Sequence, residues 1–150
     1  MIVMTFRERL DADLKTAMKA KDEVGLSVIR MIRSVVKNRE IDQKKILDDA
    51  GIFEVVAMLV KQHRESVRMF RDAGRDELVA KEEAELALLL DFLPRQLTED
   101  EVGQIVSEAV STTGASGLKD LGMVMKAVKP LVTGLADGSM VSRIVKEKLS

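Results

Sequence analysis

The chain has 150 residues, of which 46% are hydrophobic and 33% are charged. This apolar content is sufficient for a folded core and excludes a disordered chain. The 24 basic and 25 acidic residues nearly cancel, which argues against a strongly basic nucleic-acid binder but allows a local basic patch. Cysteine, tryptophan and tyrosine are absent and there is one histidine, which excludes thiolate chemistry and paired-histidine zinc sites and argues against base-stacking surfaces.

Apolar runs are short throughout the chain. The N-terminal run Met1–Met4 is too short for a signal-peptide core, and the run Leu86–Leu90 is too short for a membrane span. We therefore expect a cytoplasmic protein with no membrane partner. Translation could start at Met1 or at Met4.

Helix signals dominate the first 93 residues, and strand signals are nearly missing. Thr5 and Glu8 have the spacing of a capping box, and Asp22 is a candidate cap for a second helix. The polar residues 40–47 predict a linker, after which a third helix begins near Asp48 and ends at Gly74. A fourth helix is predicted from about Asp76 to Phe92. Its inward face is Leu86, Leu89, Leu90 and Leu93.

Pro94 ends the fourth helix, and the composition then becomes richer in glycine. A second capping box, Thr98 with Glu101, predicts another helix. A glycine-containing turn precedes a short helix, Pro130 and Gly134 bracket a break, and a last helix follows. The expected core face of the short helix is Leu118, Leu121, Met125 and Val128. We predict an all-α fold with an N-terminal antiparallel helical bundle (1–93), a hinge (94–97) and a small three-helix domain (98–150).

Cations recur once per turn on the third helix. They are separated by three or four residues: Lys61, Arg64, Arg68, Arg71 and Arg75. Such a row could follow the phosphates of an RNA, or it could be a solvated face partly neutralised by Glu65 and Asp72. The second helix carries a similar row of Arg30, Arg33 and Lys37, which would merge with the first if the two helices packed side by side.

A second row lies in the C-terminal part of the chain. It comprises Lys119, Gly122, Lys126 and Lys129. Gly122 could allow close approach of a sugar-phosphate backbone, or it could allow close packing of two helices. Gly114 and Gly117 would leave the amides at the start of the helix available to a phosphate.

The single histidine and a group of glutamates are the other chemical candidates. His63 has no visible partner for triad chemistry, which favours a packing or hydrogen-bonding role. Glu82, Glu83 and Glu85 are expected to point outward; Glu82 and Glu85 could bind a cation or share a proton, or simply form an exposed face. We expect no catalytic residue, no metal site and no cofactor.

Ordered segments along nearly the whole chain resemble the YqeY-like (GatB/YqeY) family. They include KQHRES (61–66), AGRDEL (73–78), FLPRQLTEDE (92–101), GASGLKDLGMVMKAV (114–128) and GLADGSMVSRIVKEKL (134–149). The second half is similar to the tail domain of the GatB component of aspartyl/glutamyl-tRNA amidotransferase, a carbon–nitrogen ligase with glutamine as amido-N donor. The resemblance implies an all-helical protein with a tRNA-linked role. The amidase and kinase machinery of that enzyme has no counterpart in this chain.

Three hypotheses follow. The first is an accessory protein without catalysis of its own, which binds tRNA through the second row and the last helix, with part of the third helix extending the contact. Its residues would be Lys119, Gly122, Lys126, Lys129, Arg143, Lys146, Arg64, Arg68 and Arg71. The second is a helical adaptor that binds a protein partner in aminoacyl-tRNA metabolism. The third is a free-standing amidotransferase, for which no catalytic constellation is visible.

Overall fold

The computed structural model describes residues 4–150, and these residues form seven α-helices and one short 3-10 helix. The expected all-α fold is confirmed, since no strand occurs within residues 4–150. Most of the Met1–Met4 run lies outside the described residues. The elements are α1 (Phe6–Ala20), α2 (Glu23–Gln43), α3 (Asp49–Asp72), α4 (Asp76–Asp91), α5 (Glu99–Thr113), the 3-10 helix (Leu118–Asp120), α6 (Leu121–Val132) and α7 (Gly138–Leu149).

Polar caps begin most of these helices where the sequence predicts them. The Thr5 hydroxyl accepts from the Glu8 amide at 3.1 Å, and the Glu8 carboxylate accepts in return from the Thr5 amide. Thr98 and Glu101 form the same reciprocal pair before α5. The Asp22 carboxylate caps α2 by accepting from the Gly25 amide at 3.0 Å. These contacts satisfy amides that have no partner within the helix.

The chain forms two compact units, which meet in sequence between Leu93 and Pro94. The core of the first unit comes from α1 to α4, and the fully buried branched and leucine side chains belong to α2, α3 and α4. At the edge of this core the Phe6 and Phe92 rings stack at 6.2 Å, and the Arg9 guanidinium lies over the Phe92 ring. These contacts join the start of α1 to the end of α4. The fully buried side chains include Val28, Ile32, Ile52, Val55, Val56 and Leu89.

The second unit has a separate core in which valines of α5, α6 and α7 predominate. The segment before α5 is bonded into this unit: the Leu97 amide donates to the Leu135 carbonyl at 2.7 Å, and the Gln96 side chain donates to the Gly134 carbonyl at 3.0 Å. The hinge predicted at 94–97 therefore includes residues that are fixed to the second unit. The fully buried side chains are Val102, Val106, Val124, Val128, Val141 and Val145.

Two local predictions are wrong. Residues 40–43 continue α2 rather than form a linker, because Glu40 is held by Arg7 at 2.6 Å and by the Leu47 amide at 2.8 Å. The break predicted between Pro130 and Gly134 is present, since α6 ends at Val132 with Pro130 in its last turn.

The second wrong prediction is the place of Leu118 on the core face of the short helix. Leu118 is 54% exposed, and the buried face of α6 is Val124, Val128 and Val132, with Leu121 and Met125 partly buried. The tighter 3-10 turn that contains Leu118 changes the angular register, because it has three residues per turn instead of 3.6.

Candidate functional site

The row of lysines in the second unit is on the solvent side of α6. Lys119, Lys126 and Lys129 are exposed, and within residues 4–150 none of the three belongs to an ion pair. At 3.6 residues per turn, Gly122, Lys126 and Lys129 lie within an arc of about 60°. This arc faces away from the buried valines Val124 and Val128. We call Lys119, Gly122, Lys126 and Lys129 the α6 row.

Gly122 is not a helix-packing glycine. A Cβ atom built at Gly122 meets no heavy atom within 4 Å. The structure therefore excludes the interpretation that Gly122 allows two helices to pack closely. The glycine leaves an exposed strip of backbone without a side chain next to the lysines.

The turn before α6 is less favourable to an anion than the sequence suggests. Gly114 ends α5 in the left-handed conformation (φ 72°), as a helix C-cap. The Ser116 amide, however, already donates to the Asp120 carboxylate at 2.9 Å. Asp120 also places a negative charge directly before α6. The Ser116 amide, in the turn before the helix, is therefore not available to a phosphate, whereas the phosphate contact at the amides that begin the helix stays a prediction.

Arg143 on α7 differs from the lysines because it is paired with two carboxylates. Its Nη2 atom is 2.6 Å from Glu99 Oε1, and its Nη1 atom is 3.1 Å from Glu147 Oε1. The hydrogen bond to Glu147 and the charge of Glu99 raise the pKa of the Arg143 guanidinium. Glu99, Asp100, Glu108 and Glu147 line the groove beside it. Arg143 thus lies on an acidic surface and is paired, whereas Lys146 on the same helix is exposed and belongs to no ion pair among the described residues.

Two of the five cations predicted in the α3 row have partners. Arg71 Nη2 is 2.6 Å from Glu83 Oε1 on α4, and Arg68 is also engaged in an interaction. Arg64 is only partly exposed. Arg71 and Arg68 are thus less available to a phosphate than their spacing predicts.

The α2 cations have different neighbours from those of α3. Arg30, Arg33 and Lys37 line a groove together with residues of α1, and Arg33 Nη1 is 3.9 Å from Asp11 Oδ1. Since Arg71 pairs with α4 while Arg33 pairs with α1, the contacts do not join the two rows into the single patch considered from the sequence.

Comparison with known proteins accounts for almost the entire chain. The family model described as "Yqey-like protein" matches residues 7–149. The chain belongs to the YqeY-like protein family. The resemblance noted from the ordered sequence segments is thereby confirmed at the level of the family.

Fungal relatives of this YqeY-like chain carry the name "Altered inheritance of mitochondria protein 41, mitochondrial". The protein of Pyrenophora tritici-repentis is 32% identical over 142 residues, which cover 93% of this chain and 78% of the relative. The protein of Eremothecium gossypii is 41% identical over 85 residues, covering 56% of this chain and 46% of the relative. The protein of Kluyveromyces lactis is 35% identical over 119 residues, which cover 75% of this chain and 64% of the relative. The match thus spans about half of one relative's length and about two thirds of another's.

These names correct the expectation of a cytoplasmic protein. The relatives that match the YqeY-like chain are named as mitochondrial proteins. The expectation was drawn from the shortness of apolar runs, but targeting to mitochondria uses amphipathic, arginine-rich segments, which that criterion does not detect. Among the described residues, no helix has the length and apolarity that crossing a membrane requires.

Sequence reasoning missed a buried polar cluster between α3 and α4. Glu85 is 6% exposed and His63 is 7% exposed, with His63 Nε2 3.1 Å from Glu85 Oε2. His63 is therefore a buried, hydrogen-bonded residue, as expected. The outward orientation predicted for Glu82 and Glu85 is wrong for Glu85, and Glu82 is only partly exposed. The missed signal was the spacing of Glu85 and Leu89, which places both on the buried face of α4.

Proposed function

We propose that this YqeY-like chain is an accessory protein without catalysis of its own, and that its second unit binds tRNA through the α6 row. The single observation that carries the proposal is the composition of the α6 row: three exposed lysines outside any described ion pair accompany the open backbone of Gly122, whereas Arg71 and Arg143 are bound to carboxylates. Cations without internal partners can neutralise phosphates and release the counterions that accompany them.

The shape of α6 and the resemblance of the second half both support a nucleic acid as the ligand. The open backbone at Gly122 lets a sugar-phosphate chain approach between Lys119 and Lys126 without a clash. The sequence of this half is similar to the tail domain of the GatB component of aspartyl/glutamyl-tRNA amidotransferase, which engages tRNA. Lys146 could extend the contact, whereas Arg143, Arg71 and Arg68 already have partners and are left out of the proposed interface.

The experiment is a titration of fluorescently labelled tRNA with the full chain at several salt concentrations. If the three lysines each contact one phosphate, the logarithm of the association constant should fall with the logarithm of the salt concentration with a slope of about −2 to −3. The variant Lys126→Glu/Lys129→Glu should reduce the affinity strongly and make the remaining slope shallower by about 2.

A matched control separates a specific surface from a general charge effect. Lys15 and Lys19 lie one turn apart on α1 and are exposed, so Lys15→Glu/Lys19→Glu changes the net charge by the same amount. This control variant should bind tRNA nearly as well as the unchanged chain. The proposal would be refuted if the chain did not bind tRNA at low salt, or if both double variants lost tRNA affinity to the same extent.

A protein adaptor is the second candidate, and exposed apolar side chains around α6 favour it. Leu118 is 54% exposed, Met123 45% and Leu131 56%. These residues could pack against a partner protein of aminoacyl-tRNA metabolism. A partner that remains bound to the chain after nuclease treatment, and that is lost on Leu118→Ser/Leu131→Ser, would favour the adaptor over direct tRNA binding.

A further inference from the structure

The cluster between α3 and α4 brings one imidazole and two carboxylates to a single point in the first unit. His63 Nε2 is 3.1 Å from Glu85 Oε2 and 3.6 Å from Glu82 Oε2. One ligand atom from each of the three residues lies within 4.8 Å of the other two. Two of the residues are more than nine-tenths buried, and Glu82 closes the cluster on its more accessible side, with 21% of its side chain exposed.

The hydrogen bonding of His63 determines which of its nitrogen atoms faces the carboxylates as an acceptor. Nδ1 is 3.0 Å from the Leu59 carbonyl oxygen, and because a carbonyl can only accept, Nδ1 must carry the proton. In the neutral imidazole, Nε2 then has a lone pair, and this lone pair points at carboxylate oxygens that are also acceptors. Such an arrangement needs a cation between the three groups, either a proton or a metal ion.

The dimensions of the cluster suit a metal ion. Bonds of about 2.1 Å from nitrogen and oxygen ligands give ligand–ligand separations of about 3.0 Å at octahedral and about 3.4 Å at tetrahedral angles. The observed separations of 3.1 and 3.6 Å are close to these values. The bond from Nδ1 to the Leu59 carbonyl is also the kind of outer contact that orients a metal-binding histidine.

We propose that His63, Glu82 and Glu85 bind one divalent first-row transition-metal ion, with Zn²⁺ and Mn²⁺ as the ions whose chemistry fits one imidazole and two carboxylates. The ion links α3 to α4 and holds the first unit together. The sequence offered Glu82 and Glu85 as a possible cation-binding pair but did not connect them with His63, because His63 and Glu85 are 22 residues apart and only the fold brings them together. The tRNA proposal does not involve this site.

The test uses the untagged full chain, titrated with Zn²⁺ by calorimetry and with Co²⁺ by visible absorption. Since the chain has one histidine and no cysteine, absorption bands typical of nitrogen coordination report on His63. We expect one ion per chain and a rise in the melting temperature on adding Zn²⁺. Glu82→Gln, at the more accessible edge, and His63→Gln should each weaken binding by roughly tenfold or more.

Glu83→Gln is the matched control, because Glu83 is adjacent in sequence but pairs with Arg71 outside the cluster. It removes the same charge and should leave metal affinity almost unchanged. If Zn²⁺ and Co²⁺ do not bind, and NMR shows His63 doubly protonated with unchanged signals on addition of Zn²⁺, the cation is a proton and the proposal is wrong. Equal weakening by Glu82→Gln and Glu83→Gln would also overturn it, since it would indicate nonspecific attraction.

Discussion

Two glycines of the second unit should respond in opposite ways to the same substitution. Gly122 lies inside α6, and an alanine there would add a methyl group that meets nothing within 4 Å. Because glycine costs about 0.5–1 kcal/mol relative to alanine inside a helix, Gly122→Ala should stabilise the second unit by that amount. For a unit of this size the melting temperature should rise by about 2–8 °C.

Gly114 has equally open surroundings but a left-handed backbone, with φ at 72°. Gly114→Ala should therefore destabilise the unit, by about 1–2 kcal/mol, because a Cβ atom is strained in this conformation. The contrast isolates the backbone conformation, since neither added methyl group meets a neighbour.

Calorimetry of the full chain measures both effects, and hydrogen exchange of the α6 amides assigns them to the second unit. If Gly122 is also the point where a sugar-phosphate backbone approaches, Gly122→Ala should weaken tRNA binding while it stabilises the protein. If Gly122→Ala is more stable but binds tRNA with undiminished affinity, Gly122 is not part of the interface. A destabilised Gly122→Ala would refute the description of this position as open helix surface.

Two further predictions concern acid stability and the core. The pKa of Glu101 is lowered from 4.5 to about 2, first by the hydrogen bond from Arg95 and then by that from the Thr98 amide. The ionised Glu101 therefore contributes its full stabilisation above about pH 4.5, and this stabilisation is lost as the pH falls toward 2. Glu101→Gln should flatten the pH dependence of urea unfolding of the second unit between these values; an unchanged dependence would contradict the assignment. Leu89→Ala, at a position with 0% exposure, should cost the first unit about 2–5 kcal/mol in the same assay, whereas the control Ile46→Ala, at 81% exposure, should stay within about 0.5 kcal/mol.

Helix beginnings were predictable because caps are local. Thr5 with Glu8 and Thr98 with Glu101 make contacts over three residues, so their spacing in the sequence is sufficient evidence. The end of α2 was not predictable in this way. Its last polar turn is held by Arg7, which is 33 residues from its partner Glu40. A local pattern carries no information on a contact of that kind.

The same distinction between local and long-range contacts applies to the candidate sites. The spacing of Gly122, Lys126 and Lys129 correctly indicated one exposed stripe, because helical periodicity alone determines it. Spacing could not indicate which cations are neutralised from another helix: Arg143 pairs with Glu99 across 44 residues, and Arg71 pairs with Glu83 across 12 residues. For the same reason Glu85 was expected in solvent although it faces His63.

The distribution of paired charges points to lysine rather than arginine as the residue available to a ligand. The ion pairs described here use arginine or histidine, as in Arg33 with Asp11 and Arg95 with Glu101. The planar guanidinium holds a carboxylate through two parallel bonds, and Arg95 does so with bonds of 2.9 and 2.8 Å. The lysines of the α6 row are compact point charges on flexible stems. Binding that rests on them should depend steeply on salt and weakly on base sequence, because phosphate contacts position a nucleic acid without reading its bases.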